Sequence, residues 1–204
     1  MAPGPKSKPG ARERQREDTR QRVYEAAMSV FRRDGVGAAR IDDIAKAAGV
    51  SHGTFYFHFA TKEEVLAQRL RLSETALAER LESLPSEAPL TAVLEKIGTA
   101  MGEEWESDPA LFPEVGAVAL RNVSTHITAD RVSPVRLVLA GRFRVAAERG
   151  ELSEALPPEV LSDLLLIHVF AAALSWCAAP VVPLATMLHE VTRLFLHGAQ
   201  GKRA

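Results

Sequence analysis

Apolar residues recur at helical spacing along most of this chain. Val23, Ala27, Val30 and Phe31 fall at i, i+4, i+7 and i+8, one side of an amphipathic helix that Asp18 or Thr19 can cap and Asp34-Gly35 ends. Ile41, Ile44, Ala45 and Ala48 face one way on a second, shorter helix, with Asp42, Asp43 and Lys46 opposite and Gly49 as its stop. Ser51 begins a third, its hydroxyl placed to accept from the amide of Gly53 or Thr54. Phe59 closes it, and Thr61 caps a long fourth helix that runs from Lys62 to about Ser83. After the break "LPSEAP" the pattern predicts helices over 90–106, 110–124, 131–149, 158–179 and 184–198. Strand-like alternation never persists, so the chain reads as all-α: a small N-terminal unit and a larger C-terminal helical body.

The termini and charge modify this picture. Residues 1–17 are rich in Pro, Gly, Lys and Arg without apolar periodicity, which predicts a disordered basic tail. Residues 1–62 carry 12 Lys+Arg against 7 Asp+Glu, whereas 63–204 carry 13 against 19. A basic head on an acidic body suggests that one end meets a polyanion. The single cysteine, Cys177, lies in an apolar run and forms neither a disulfide nor a zinc motif, which suits a reducing cytoplasm. No signal peptide is expected. The apolar stretch 164–179 is interrupted by His168 and ended by Pro180 and Pro183. At sixteen residues it is shorter than the roughly 20 that a membrane span needs. It predicts a buried or interface helix, not a membrane span.

Four of the chain's twelve aromatic residues crowd into "VSHGTFYFHF", residues 50–59. A short helix, the turn "AGVS" and another short helix form the outline of a helix-turn-helix, whose second helix enters the DNA major groove. Phe55 and Phe59 are i, i+4 and continue the apolar side begun by Val50, so both are expected in the core. The opposite side is left for contact. Ser51 and the free amides at the helix start can hold a phosphate. His52 and Thr54 can reach base edges, and Gly53 lets the backbone come close. Tyr56 and His58 can donate to phosphate or help complete a packed mini-core, and Lys62 is placed for phosphate. Phe57 either meets a thymine methyl or completes a packed mini-core.

The run "IDDIAKAAGVSHGTFYFHFATKEEVLAQRL" resembles the DNA-binding region of the tetracycline-repressor (TetR) family. The family's pattern is roughly "IA..AGVS.GT.Y.HF..KE.L". It is matched here by Ile44, Ala45, Ala48, Gly49, Val50, Ser51, Gly53, Thr54, Tyr56, His58, Phe59, Lys62, Glu63 and Leu66, and by Arg20, Ala26, Ala27, Phe31 and Gly35 in the first helix. The resemblance covers about a quarter of the chain. It implies a helix-turn-helix DNA-binding domain over 18–62 and a helical regulatory and dimerisation domain over 63–204, linked by helix 62–83. It also implies a homodimer joined through the helices near 158–179 and 184–198, double-stranded DNA with a palindromic operator as partner, and a small-molecule effector that releases it. Three positions depart from the pattern. Arg40 stands where a capping Ser or Thr is usual, and could reach phosphate itself. Asp42, often basic in the family, could repel phosphate, accept from a cytosine amino group, or favour its own helix N-terminus. Phe57 replaces a frequent His or Tyr.

Met101, Trp105, Phe112, Phe143, Phe170 and Trp176 could line an effector cavity, with His126 or His168 as polar points; ordinary core packing competes for each. Such a cavity suits an apolar or amphipathic ligand. No phosphate loop, dinucleotide glycines, zinc-protease motif or nucleophile elbow occurs, and no cofactor, metal or enzymatic activity is expected. The competing reading is a constitutive DNA-binding protein or one controlled by a protein partner.

Overall fold

Nine α-helices and no strand form among the described residues, 10–125, 133–152 and 156–199 of the computed structural model. They are α1 (Ala11–Asp34), α2 (Ile41–Ala48), α3 (His52–His58), α4 (Lys62–Glu82), α5 (Leu90–Trp105), α6 (Phe112–Thr125), α7 (Pro134–Glu148), α8 (Pro158–Ala178) and α9 (Leu184–Ala199). The chain divides into two units after Val65.

The start of α1 corrects the sequence reading. Residues 11–17, expected in a disordered tail, are helical; residues 1–9 lie outside the described residues. No Gly or Pro occurs between Ala11 and Asp34, and Ala, Arg, Glu and Gln are strong helix formers. Missing apolar periodicity therefore marks an exposed helical turn, not a missing helix. Thr19 does not cap: its hydroxyl donates to the Gln15 carbonyl four residues back (2.9 Å), as a hydroxyl inside a helix does.

In the first unit α1 supplies Val23, Ala27, Val30 and Phe31 to a core shared with Ile44 and Ala45 of α2 and with Phe55 and Phe59. Gly49, left-handed at φ 64° and ψ 39°, ends α2, and its amide returns to the carbonyls of Ala45 and Lys46. The seven-residue α3 and eight-residue α2 are too short to persist alone. Long cations tie them down. The Arg20 guanidinium donates to the His58 carbonyl at the end of α3 and covers the Phe59 ring at 4.1 Å. Arg22 reaches the Ala48 carbonyl at the end of α2 (3.5 Å). Both place positive charge at the negative end of a helix dipole.

The second unit packs α8 against α6, α7 and α9, and α5 against α9. Gly98 and Gly102, one turn apart on α5, permit that close approach. A Cβ at Gly98 would lie 2.4 Å from the His189 ring, and one at Gly102 would lie 2.8 Å from Ala185 Cβ. Phe112, Phe143, Leu139, Leu165 and Leu188 are fully buried at its centre. The apolar stretch near 164–179 belongs to a 21-residue helix, α8, whose most apolar 18-residue window has a mean hydropathy of 1.9, long and apolar enough to cross a membrane by those criteria alone. One side of it (Leu161, Leu165, Leu166, Val169, Ala173) is buried against the protein itself. On the other side Leu164 and His168 join Val191, Leu194 and Phe195 of α9 around an open apolar depression.

Candidate nucleic-acid interface and inner cavity

Phe55 and Phe59 are both fully buried, and the opposite side of α3 is open. Ser51 caps the helix, its Oγ accepting from the Thr54 amide (3.1 Å) and lying 2.8 Å from Thr54 Oγ1. Tyr56 is 48% exposed and Phe57 65%. Phe57 therefore does not complete a core; Arg16 covers its ring at 5.1 Å. A Cβ added to Gly53 would meet only Ser51 Oγ, at 3.9 Å. Nothing within the chain requires glycine there, and its α-carbon is left bare toward solvent.

Asp42 and His52 find each other across the turn. His52 Nδ1 lies 2.6 Å from Asp42 Oδ1, and the imidazole stacks on the Tyr56 ring at 5.1 Å. The carboxylate thus orients the first side chain of α3, a use that spacing alone did not reveal. Arg40 is the N-cap residue of α2 but makes no side-chain cap; it is exposed beside these groups.

Two residues expected at phosphate are engaged within the first unit itself. His58 is 7% exposed and packs edge-on against Phe57. Burial, then the neighbouring Arg20 and Arg16, hold its pKa below the usual histidine value. Lys62 Nζ donates to the carbonyls of Val36 (2.6 Å), Gly37 (3.2 Å) and Ala39 (3.1 Å). All three ammonium donors are engaged, and the residue clamps the α1–α2 connection. Next to it Thr61 Oγ1 caps α4 by accepting from the Glu64 amide (3.2 Å), while the Glu64 carboxylate accepts from the Ala60 amide (2.7 Å), one residue before the cap. Sequence reasoning missed Arg16, because its turn was read as tail. The unbroken run of helix formers after Gly10 was the signal that would have found it.

Within the second unit a cavity of about 310 Å³ opens between α4, α5, α7 and α8. Met101, Trp105 and Phe170 line it, as the sequence suggested. Phe112 instead lies behind, edge-on to Trp105 (5.0 Å) and stacked on Phe170 (6.0 Å). Phe143 is core, His168 faces the outer depression with Nδ1 donating to the Leu164 carbonyl (2.6 Å), and Trp176 Nε1 fixes the α8–α9 turn through the Val182 carbonyl (2.6 Å). His126 lies outside the described residues. The unpredicted lining comes from α4 and the end of α5. Leu70, Ser73, Glu74 and Leu77 share one face of α4, and Glu103 and Glu104 sit across from it. Arg69 pairs with Glu104 (2.6 Å) over the Trp105 ring, Ser73 donates to the same carboxylate oxygen (2.6 Å), and Arg80 pairs with Glu103 (2.6 Å). A serine and a glutamate interrupting an apolar stripe on α4 were the legible signal.

A short helix presenting an open polar and aromatic face, capped by serine and preceded by a four-residue turn, defines a helix-turn-helix regulator of transcription. Residues 23–68 match the family described as bacterial regulatory proteins, tetR family. Over 150 residues, 72% of this chain and 76% of the relative, the sequence is 30% identical to the HTH-type transcriptional regulator UidR of Escherichia coli K12. A 50-residue stretch, 24% of each chain, is 52% identical to the HTH-type transcriptional regulator SrpR of Pseudomonas putida. Among solved structures, Thermus thermophilus FadR, a TetR-family transcriptional repressor in complex with lauroyl-CoA, superposes with a TM-score of 0.68 at 26% identity, covering 91% of this chain and 97% of that one. The chain belongs to the tetR family of bacterial transcriptional regulators.

Proposed function

We propose that this regulator is a repressor that binds a palindromic operator as a homodimer in the cytoplasm and is released by a small molecule. The observation that carries the reading is the pairing of fully buried Phe55 and Phe59 with an open opposite face on α3. That face enters the major groove. Thr54 and His52 read base edges, with Asp42 holding the His52 ring in place. Phe57 meets a thymine methyl and Gly53 lets the backbone approach. Ser51, Tyr56 and Arg40 contact phosphate and set the register. The open apolar face of α8 and α9 supports self-association, since a two-fold dimer presents two α3 helices to half-sites about 34–36 Å apart. The cavity supports ligand control, because α4 both lines it and begins in the DNA-binding unit. A ligand that prefers another spacing of the two heads then lowers DNA affinity, typically by a coupling of about 1–3 kcal/mol.

A mobility-shift titration on the chain's own upstream DNA tests this. Tyr56→Ala weakens binding to every sequence, whereas Thr54→Ala relaxes preference at one base pair, by about 1–3 kcal/mol. If neither variant changes the shift, the contact assignment fails. DNA binding that no small molecule relieves would favour a constitutive or protein-controlled regulator instead.

A further inference from the structure

Four of the cavity's polar groups, Ser73, Arg80, Glu103 and Glu104, are held in ion pairs or hydrogen bonds, and Glu74 stands apart from them. Glu104 holds Arg69 and Ser73, and Glu103 holds Arg80. Glu74, on the α4 face between Leu70 and Leu77, lines the same space and makes no ion pair among the described residues. Arg71, whose guanidinium donates to Gln68 (2.8 Å), is only the weakest influence on it. The Ser133 hydroxyl, 5% exposed, lies near enough to favour the carboxylate but makes no hydrogen bond of regular geometry. Burial outweighs both and pushes the Glu74 carboxyl above the usual range. A carboxyl with no ion-pair partner among the described residues therefore stands at an apolar cavity, with only the Ser133 hydroxyl beside it.

We propose that the cavity takes a lipophilic cation: an apolar or aromatic body lying among Leu70, Leu77, Met101, Trp105 and Phe170, with an amine or quaternary ammonium group against Glu74. The inference rests on the reading of this cavity as the effector site and names its ligand class. Charge complementarity selects the cation. An anionic headgroup would meet the Glu74 carboxyl with no cation left to receive it, since Arg69 and Arg80 are already engaged by Glu104 and Glu103. A buried carboxylate gains most from a partner that brings its own opposite charge into low dielectric. The aromatic rings add an attractive surface for the same charge. The ligand bound by the Thermus FadR, lauroyl-CoA, belongs to the opposite charge class.

Three decyl probes of matched chain separate the possibilities: decyltrimethylammonium, decanol and decanoate, with lauroyl-CoA as a fourth. Each is titrated into the full chain and into Glu74→Gln, reading thermal shift and release of operator DNA. The ammonium probe is expected to bind the parent chain tightest and to release DNA. Glu74→Gln is expected to weaken the ammonium by about tenfold or more and to change decanol much less, which also reports that the variant is folded. Equal binding of all charges, or an ammonium affinity indifferent to Glu74→Gln, overturns the proposal. Decanoate or lauroyl-CoA releasing DNA where the ammonium does not overturns the cation class and leaves ligand control standing. If no probe moves either readout, both readings fall.

Discussion

The two units use their interior and exterior in opposite ways. In the first, the interior is filled and sealed: Phe55 and Phe59 are buried, and Arg20, Arg22 and Lys62 each turn inward to backbone carbonyls. What is left open is the outside of α3. In the second, long helices support themselves, the outside of α4 and α5 is ordinary, and the unfilled volume lies within. Arg142 is the second unit's counterpart of Lys62, collecting the carbonyls of Leu81 (2.8 Å), Leu84 (2.7 Å) and Pro85 (2.5 Å) where α4 ends. Helices of seven and eight residues must each be held from behind to exist at all. A bundle of helices of 14 residues or more can leave a cavity.

The largest break in this comparison is Phe55→Ala. Truncating a fully buried ring costs about 3–5 kcal/mol, so the first unit should melt early and DNA binding should vanish, as a two-step thermal profile would report. Lys62→Met comes next. It removes three charge-assisted hydrogen bonds, each worth about 1.5–3 kcal/mol where shielded and less here at the half-buried ammonium. Stability and DNA affinity should fall together while the salt slope stays unchanged; a slope reduced by about one would instead make Lys62 a phosphate contact. A pair of glycine substitutions then separates inside from outside. Gly102→Ala collides with Ala185 and should destabilise by about 1–3 kcal/mol. Gly53→Ala meets open space and should leave the melt unchanged or slightly raised, yet weaken operator binding. Equal melting losses in both would erase the contrast.

The smallest effect is in pH. His58 is held below its ordinary pKa, so the unfolded chain takes up a proton that the folded one resists. Stability from this group is present above about pH 6.5 and is lost as pH falls through the depressed value. His58→Gln should flatten that part of the stability profile. A steepened profile would mean that His58 is charged in the fold.

The helix-turn-helix was legible because its signals are local. Gly49 as a left-handed stop, Ser51 as a cap and the i, i+4 pair Phe55 and Phe59 are each fixed by nearest neighbours and helical period. The tail misled for the same reason. Periodicity reports burial, and residues 11–17 are helical without being buried. The cavity was half legible. Met101, Trp105 and Phe170 were found as large apolar side chains, but Phe112, Phe143 and Trp176 have the same apolar, aromatic character and do not line this cavity. Whether a ring faces a void or another ring is decided by which helix stands opposite it.

Long side chains divide the two kinds of knowledge most sharply. By itself the sequence determined the helices, the basic head, the motif and the family, since backbone propensity, capping and period act over a few residues. Only the tertiary structure decided where charges end up: Lys62 on three carbonyls, Asp42 on His52, Glu74 at the cavity wall with no ion-pair partner among the described residues. An extended cation or carboxylate can reach partners as near in the chain as His52 is to Asp42 or as far as Leu81 is from Arg142, and only the packing of the helices selects one.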